Sequence, residues 1–321
     1  MKKFLAIIIA LAMVCALCAC GNNGQEKSSK YVIGICQLTQ HPALDKATEG
    51  FVDAVKEALG DDAEILNKNA SGDISSCTTI VNEFVAQNVD LIMANATPAL
   101  QAAAAATGKI PILGTSITHY APALDIPESE WNGTVGGNIS GTSDLADLKE
   151  QAKMITDWFP DTKTVGLLYC SAEANSVFQV KEVAKHLAEM GIESKEFSFT
   201  DTNDVASVAN SACDYADVIY IPTDNVAAAN TEAISNVVIS RGVPVIAGEK
   251  DTCAGCGIAT LSIDYYNLGY TTGKMAVRIL KDGADISAMP IEYAPNATKY
   301  YNEKNCEYFD LGILAHYTAI E

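Results

Sequence analysis

The chain has 321 residues, with 21 Lys and Arg against 40 Asp and Glu, for a formal charge of -19. At roughly 150 residues per domain this length implies two domains, and 49% hydrophobic residues with 22 Gly and 10 Pro exclude collagen, coiled coil, mucin-like stalk and disordered chain. A surface this acidic repels phosphate backbones and anionic headgroups, which argues against a nucleic-acid partner.

Lys2 and Lys3 precede an uncharged stretch from Phe4 to Ala19, the basic and apolar regions of an export signal. The run is shorter than the ~20 apolar residues a membrane helix needs. Leu17-Cys18-Ala19-Cys20, followed by a polar segment to Lys30, resembles a bacterial lipobox. Residues 1–19 are therefore expected to be a signal peptide, Cys20 the lipidated N-terminus and 20–30 a tether. Cys15 and Cys18 fit less well, because bulky Val14 and Leu17 precede them. The protein is then exported and held at the outer face of the cytoplasmic membrane. The other seven cysteines are an odd number without a disulfide framework. Cys253 and Cys256 form the one C-x-x-C, weak evidence for zinc, and read as a local disulfide or two free loop thiols; no metal and no cofactor is expected.

From Tyr31 short apolar runs alternate with helix-period segments. Strands are predicted at 31–36, 63–66, 89–94 and 110–114, and helices between them at 47–59, 74–87 and 98–106. Unalternated apolar strands are those of a parallel sheet covered on both faces. Residues 115–141, rich in Pro and Gly, hold no convincing helix and read as the first connection between lobes. A second series follows: helix 143–158, strand 164–169, helix 175–190, strand 192–197, helix 204–213, strand 218–221, helix 224–240 and strand 243–247. A loop at 249–256, a strand at 257–263, a helix at 265–281 and an extended tail close the chain. The fold class is α/β, two doubly wound parallel-sheet lobes. The expected N-terminal lobe is 31–118 plus 257–283, and the C-terminal lobe 119–256 plus 284–321.

Motifs for catalysis are missing. The turn Gln37 to Pro42 has no glycine for a pyrophosphate, no Walker A or H-E-x-x-H occurs, and no G-x-S-x-G is present. Ligands of open α/β sheets sit outside the carboxyl ends of the strands, and there the chain places Gln37 to Asp45, Asn95 to Thr97, Thr115 to Thr118, Ser171 to Ser176, Thr223 to Asn225 and Asp264. Hydroxyls, amides and a few carboxylates suit hydrogen-bonded capture of a small polar molecule. A plain helix cap is the alternative reading, since Thr97, Ser143 and Asp224 all have capping chemistry.

The blocks Tyr31 to Leu38 with His41 to Asp45, Ala96-Thr97-Pro98, Gly141 to Asp144, Glu173 to Ser176, Pro222 to Asn225 and Ile263 to Gly269 together resemble the ABC-transporter substrate-binding lipoproteins that include tryptophan- and tyrosine-type receptors. The resemblance covers about residues 31–310. It implies a type I periplasmic-binding-protein fold, two lobes joined by a three-crossing hinge, acting as a monomer that hands an amino acid, often aromatic, to an ABC permease. Carried over by position, Thr97, Ser116 and Thr118 line the first lobe, and Glu173, Asn175, Ser176, Asp224 and Asn225 the second; Gln37 and Asp264, at strand ends, complete the expected ligand-binding set. His119-Tyr120 departs from the Asp-Pro of relatives. Tyr120, Trp131, Tyr169, Tyr265 and Tyr266 are the candidate walls for a ring. The alternatives are a sugar or nucleoside receptor of the same fold, or an exported two-lobed enzyme using Asp224, Glu173 or Asp264 as acid or base.

Overall fold

A computed structural model describes residues 31–294 and 297–320; the segments expected to be a signal peptide and a tether, with Cys20, lie outside the described residues. The strands are β1 (Tyr31–Gln37), β2 (Ala63–Asn69), β3 (Leu91–Asn95), β4 (Ile112–Ile117), β5 (Ile139–Ser143), β6 (Thr164–Cys170), β7 (Glu193–Phe199), β8 (Val218–Ile221), β9 (Val245–Ala247), β10 (Ala259–Ser262), β11 (Glu292–Tyr293), β12 (Thr298–Tyr301) and β13 (Thr318–Ala319). The helices are α1 (Pro42–Leu59), α2 (Ile74–Ala86), α3 (Thr97–Ala106), α4 (Tyr120–Ala123), α5 (Leu148–Trp158), α6 (Ala174–Glu189), α7 (Val205–Cys213), α8 (Asn225–Ala229), α9 (Thr231–Arg241), α10 (Lys250–Cys256), α11 (Tyr265–Leu280) and α12 (Glu303–Tyr308).

Two sheets result, ordered β11-β5-β4-β3-β1-β2 and β13-β12-β10-β9-β8-β6-β7. Apart from the antiparallel β10–β12 pair, the strands run parallel. Successive residues of β1 serve opposite faces, as strand geometry demands: Ile33 and Ile35 pack with Phe51 and Val55 of α1 and Met275 of α11, whereas Cys36 packs with Phe84 of α2 and Leu100 of α3. The second sheet repeats the scheme, with Leu167 against Ile155 and Val183 on one side and Leu168 against Ala209 and Ile234 on the other.

The structure redistributes the lobes. The strand expected at 257–263 in the first lobe is β10, hydrogen-bonded into the second sheet, while β5 and β11, expected in the second lobe, belong to the first sheet. Only α11 of segment 257–283 returns to the first lobe, where it lies directly on α1: a Cβ on Gly269 would sit 1.8 Å from the Ala47 carbonyl oxygen, and one on Gly50 2.1 Å from that of Tyr266. A fully buried strand carries no mark of its sheet, which explains the misassignment. The chain therefore changes sheet between Ser143 and Thr164, between Ser262 and the helix α11, and between Tyr293 and Thr298.

Local corrections have local causes. Strand β5 lies inside the presumed connection, and its Ser143 was expected to open a helix. The helix expected at 224–240 divides at Asn230, giving α8 and α9. The expected loop 249–256 is α10, capped by Glu249. Its Cys253 and Cys256 are free and buried, as are Cys36, Cys77, Cys170, Cys213 and Cys306. Among the described residues no helix is long and apolar enough to cross a membrane.

Candidate functional site

The carboxyl ends of both sheets face each other across a cleft, and the loops there close on an inner cavity lined by His41, Ser116, Thr118, Asp144, Asn175, Thr223, Asp224, Asn225, Glu249 and Tyr265. Direct bonds span the cleft: His41 Nε2 lies 3.2 Å from Asn225 Oδ1, and Gln179 Nε2 donates to Thr118 Oγ1 at 3.5 Å. His119, which accepts from Ala121 N to cap α4, meets Phe178 edge-on at 4.9 Å. The departure at 119–120 is thus a contact between α4 and α6 and a core position for Tyr120, whose hydroxyl donates to Thr142 O. About 10 Å³ of the inner cavity remains open, room for one water.

Sequence position alone did not distinguish lining residues from supporting ones. Gln37 is buried, its amide donating to Asp45 and Thr39 O while its carbonyl accepts from Thr48, so it braces β1 against α1. Thr97 is buried at the start of α3, its hydroxyl without a hydrogen-bond partner, and is not among the residues lining the inner cavity. Asp264 is exposed and caps α11 through Asn267 N at 2.9 Å. Ser176 is fully buried behind Asp224. Of the proposed ring walls only Tyr265 reaches the cavity; Tyr169 bonds Glu196, Tyr266 bonds Asp53 on the surface, and Trp131 packs on His119.

The two acids expected to meet the ligand are committed to the protein. Asp224 accepts from Cys170 N at 2.6 Å and from Ala227 N at 2.8 Å. Glu173 accepts from Asn225 N, Val226 N, Asn175 Nδ2 and Asn225 Nδ2, anchoring the start of α8. Burial and the neighbouring Asp224 push the Glu173 carboxyl up to about 7, and burial raises Asp224 as well.

Asp144, one residue past β5, was not among the expected ligands although it ends the block Gly141 to Asp144. Its Oδ2 accepts from the Tyr265 hydroxyl at 3.0 Å and the Thr118 hydroxyl also approaches the carboxyl, while Oδ1 is buried and makes no hydrogen bond of good geometry within the protein. Asn175 Oδ1, His41 Nδ1 and Ser116 Oγ are in the same condition, and all four residues line the inner cavity. Because Glu173 takes the Asn225 amide hydrogens, Asn225 Oδ1 must accept from His41 Nε2, leaving Nδ1 of the neutral ring a bare acceptor. Burial lowers the His41 pKa, favouring that neutral form. Three free acceptors thus face the cavity with one hydroxyl. Ser116 is held at φ 56°, where the β4–β5 register shifts, and Ala96, just past β3, at φ 90°. Such strained non-glycine backbone gathers at functional sites. Among the described residues no Lys or Arg lines the cavity; Arg241 and Arg278 are paired on the surface with Asp214 and Glu292.

Residues 32–315 match the model of the ABC transporter substrate binding protein family. The chain belongs to this family. It is 32% identical over 97% of its length, and 93% of the relative's, to a tyrosine-binding protein of Clostridioides difficile. Among solved structures it is similar to a Streptococcus pneumoniae ABC domain in complex with L-Trp (TM-score 0.85, 30% identity, 89% of this chain and 97% of that one). It is also similar to the ligand-free, open structure of a Clostridium difficile substrate-binding protein with adhesive properties (TM-score 0.69, 32% identity, 91% and 99%). At nearly equal identity the family member's lobes superpose better on the liganded structure than on the open one, in keeping with its cross-cleft bonds. Sugar- and polyol-bound neighbours at 13–17% identity share the fold alone. The expected type I periplasmic-binding-protein architecture is present. Membership makes the chain a substrate-binding protein and not an enzyme, of a family that works outside the cytoplasm.

Proposed function

We propose that the protein captures an aromatic α-amino acid between its lobes and delivers it to an ABC permease. The observation that carries this reading is the buried, unpartnered Asp144 Oδ1 beside Asn175 Oδ1 and His41 Nδ1. Three acceptors match the three hydrogens of a primary ammonium, and one of them bears the compensating charge. Leaving either charge of a zwitterion unpaired in a closed cleft would cost several kcal/mol. Ser116 Oγ, a buried hydroxyl without a protein partner, supplies a neutral donor for the carboxylate, as a cavity without Arg or Lys requires. A sugar or nucleoside has no ammonium to satisfy Asp144. The relative named as tyrosine-binding and the one solved in complex with L-Trp support the aromatic class.

The cycle needs motion, since the closed inner cavity holds no more than a water. Ligand enters when the lobes part about the chain segments that connect the sheets, and the closed state is then selected by contacts made to both lobes. Thr118 and Asp144 come from the first lobe, Asn175 and Thr223 to Asn225 from the second.

The direct test is denaturing mass spectrometry of ligand released from the purified protein, with calorimetry over amino acids, nucleosides and sugars. L-Tyr or L-Trp should bind; stabilisation by a sugar or nucleoside with no amino acid binding would overturn the reading. Export, lipidation at Cys20 and monomeric action complete the proposal. Cys20→Ala should abolish incorporation of labelled fatty acid, and continued labelling would remove the anchor.

A further inference from the structure

The contacts made across the cleft differ in kind. His41, Asn225 and Thr118 line the inner cavity, so the bonds His41–Asn225 and Thr118–Gln179 belong to the ligand site itself. The contact of His119 with Phe178 uses no residue that lines that cavity. It stands beside the Thr118–Gln179 bond, one residue further along in the first lobe and one residue earlier on α6.

The first lobe presents His119 as a fixed ring. Nδ1 accepts from Ala121 N at 3.1 Å, so the neutral imidazole carries its hydrogen on Nε2, which lies 3.2 Å from Glu128 Oε1. Burial lowers the His119 pKa against the opposing charge of Glu128, which favours this neutral form. Trp131 packs on the ring at 5.5 Å between centroids, tilted by 53°. Both nitrogens are thus engaged within the first lobe, and what the ring offers the second lobe is its apolar surface. Phe178 meets it at 4.9 Å with 74° between the planes, the edge-to-face arrangement that aromatic pairs prefer. Trp131 packs against the core of the first lobe and Phe178 against that of the second. Each side is anchored in its own lobe, so parting the lobes pulls the rings apart.

We propose that Phe178, seated on the His119–Trp131 pair, is a latch that holds the lobes together without touching the ligand, and thereby sets how long a captured amino acid stays. A contact made only in the closed state favours that state. An aromatic pair of this geometry is equivalent to about twofold to tenfold in an equilibrium constant. Ligand held between the lobes leaves when they part, so the effect falls on its release. That last step rests on the amino-acid reading above, whereas the latch itself stands on contacts within the protein.

X-ray scattering of the ligand-free protein and stopped-flow release of L-Trp test the latch on wild type, Phe178→Ala, His119→Asn and the double variant. Asn at position 119 removes the ring but keeps a side-chain acceptor to cap α4. Each single variant should have a larger radius of gyration and release L-Trp about twofold to tenfold faster. The double variant should resemble the more affected single, because the same contact is lost in all three. Phe178→Tyr, which keeps a ring, should stay close to wild type. Unchanged scattering and release in both singles would overturn the latch. So would single effects that multiply in the double variant, or a loss in Phe178→Tyr equal to that in Phe178→Ala. If wild type binds no amino acid, the amino-acid reading falls, and the scattering of the ligand-free variants decides the latch by itself.

Discussion

Asp144 and Asp224 are chemically identical and both buried in the cleft, yet their roles separate on a count of hydrogen bonds. Both Asp224 oxygens accept from backbone N–H groups, so it ties the start of α8 to the end of β6; Asp144 has one oxygen free. Asp144→Asn keeps an acceptor for Tyr265 but removes the charge, and amino-acid affinity should fall by about 2 to 5 kcal/mol, some thirtyfold to several thousandfold. Asp224→Asn can retain only one of its two backbone bonds and should cost about 1–3 kcal/mol of stability with a smaller loss of affinity. Calorimetry and urea unfolding on the two variants separate these outcomes, and a larger affinity loss in the Asp224 variant would reverse the assignment.

At the scale of elements, α1 and α11 approach backbone to backbone at three positions. Gly50, Gly269 and Gly273 are the residues that permit this, since each added Cβ would lie closer than 3.0 Å to the facing helix. The contact matters because α11 follows β10 of the second sheet directly: it fastens the chain's return to the first lobe, and its first residue, Tyr265, holds Asp144. Gly269→Ala should destabilise the protein by about 1–3 kcal/mol or more through overpacking, read as a lower urea midpoint. It should also weaken ligand binding by displacing Tyr265. An unchanged midpoint would mean the helices separate at no cost.

Across the whole molecule the cleft concentrates carboxyl groups that burial keeps protonated more readily than in the unfolded chain. Glu173 rises from 4.5 to about 7 and Asp251 from 3.8 to about 6, both chiefly by burial, and Asp144, Asp224 and Glu249 shift the same way. The folded state therefore binds more protons than the unfolded state between about pH 4 and 7, and stability falls as pH rises through that window. His41 and His119 oppose the trend below their ordinary value of 6.5, because burial lowers the folded pKa of both; five raised carboxyls outweigh them. The ligand-free protein should have a higher urea midpoint at pH 5.5 than at pH 7.5, and a rising midpoint would contradict these shifts. Ligand binding should lower the radius of gyration, and His41→Ala, which removes a bond across the cleft, should raise that of the ligand-free protein in X-ray scattering. Unchanged scattering in both would indicate a rigid cleft.

The repeating strand and helix, the two-lobed class and the family were legible in the chain itself, because strands buried on both faces and helices buried on one leave periodic patterns in apolar residues. The segments that would form the cleft were legible too, since strand ends in parallel sheets are where small polar residues gather. What the chain did not disclose is which sheet receives β5, β10 and β11, for strand pairing is a backbone interaction with no residue code of its own. Nor could it rank the acids of the site. Whether a carboxylate is free for a ligand depends on which N–H groups the folded backbone brings to it, and that placed Asp224 and Glu173 among the supports and Asp264 on the surface, and left Asp144 with an oxygen not taken up by the backbone.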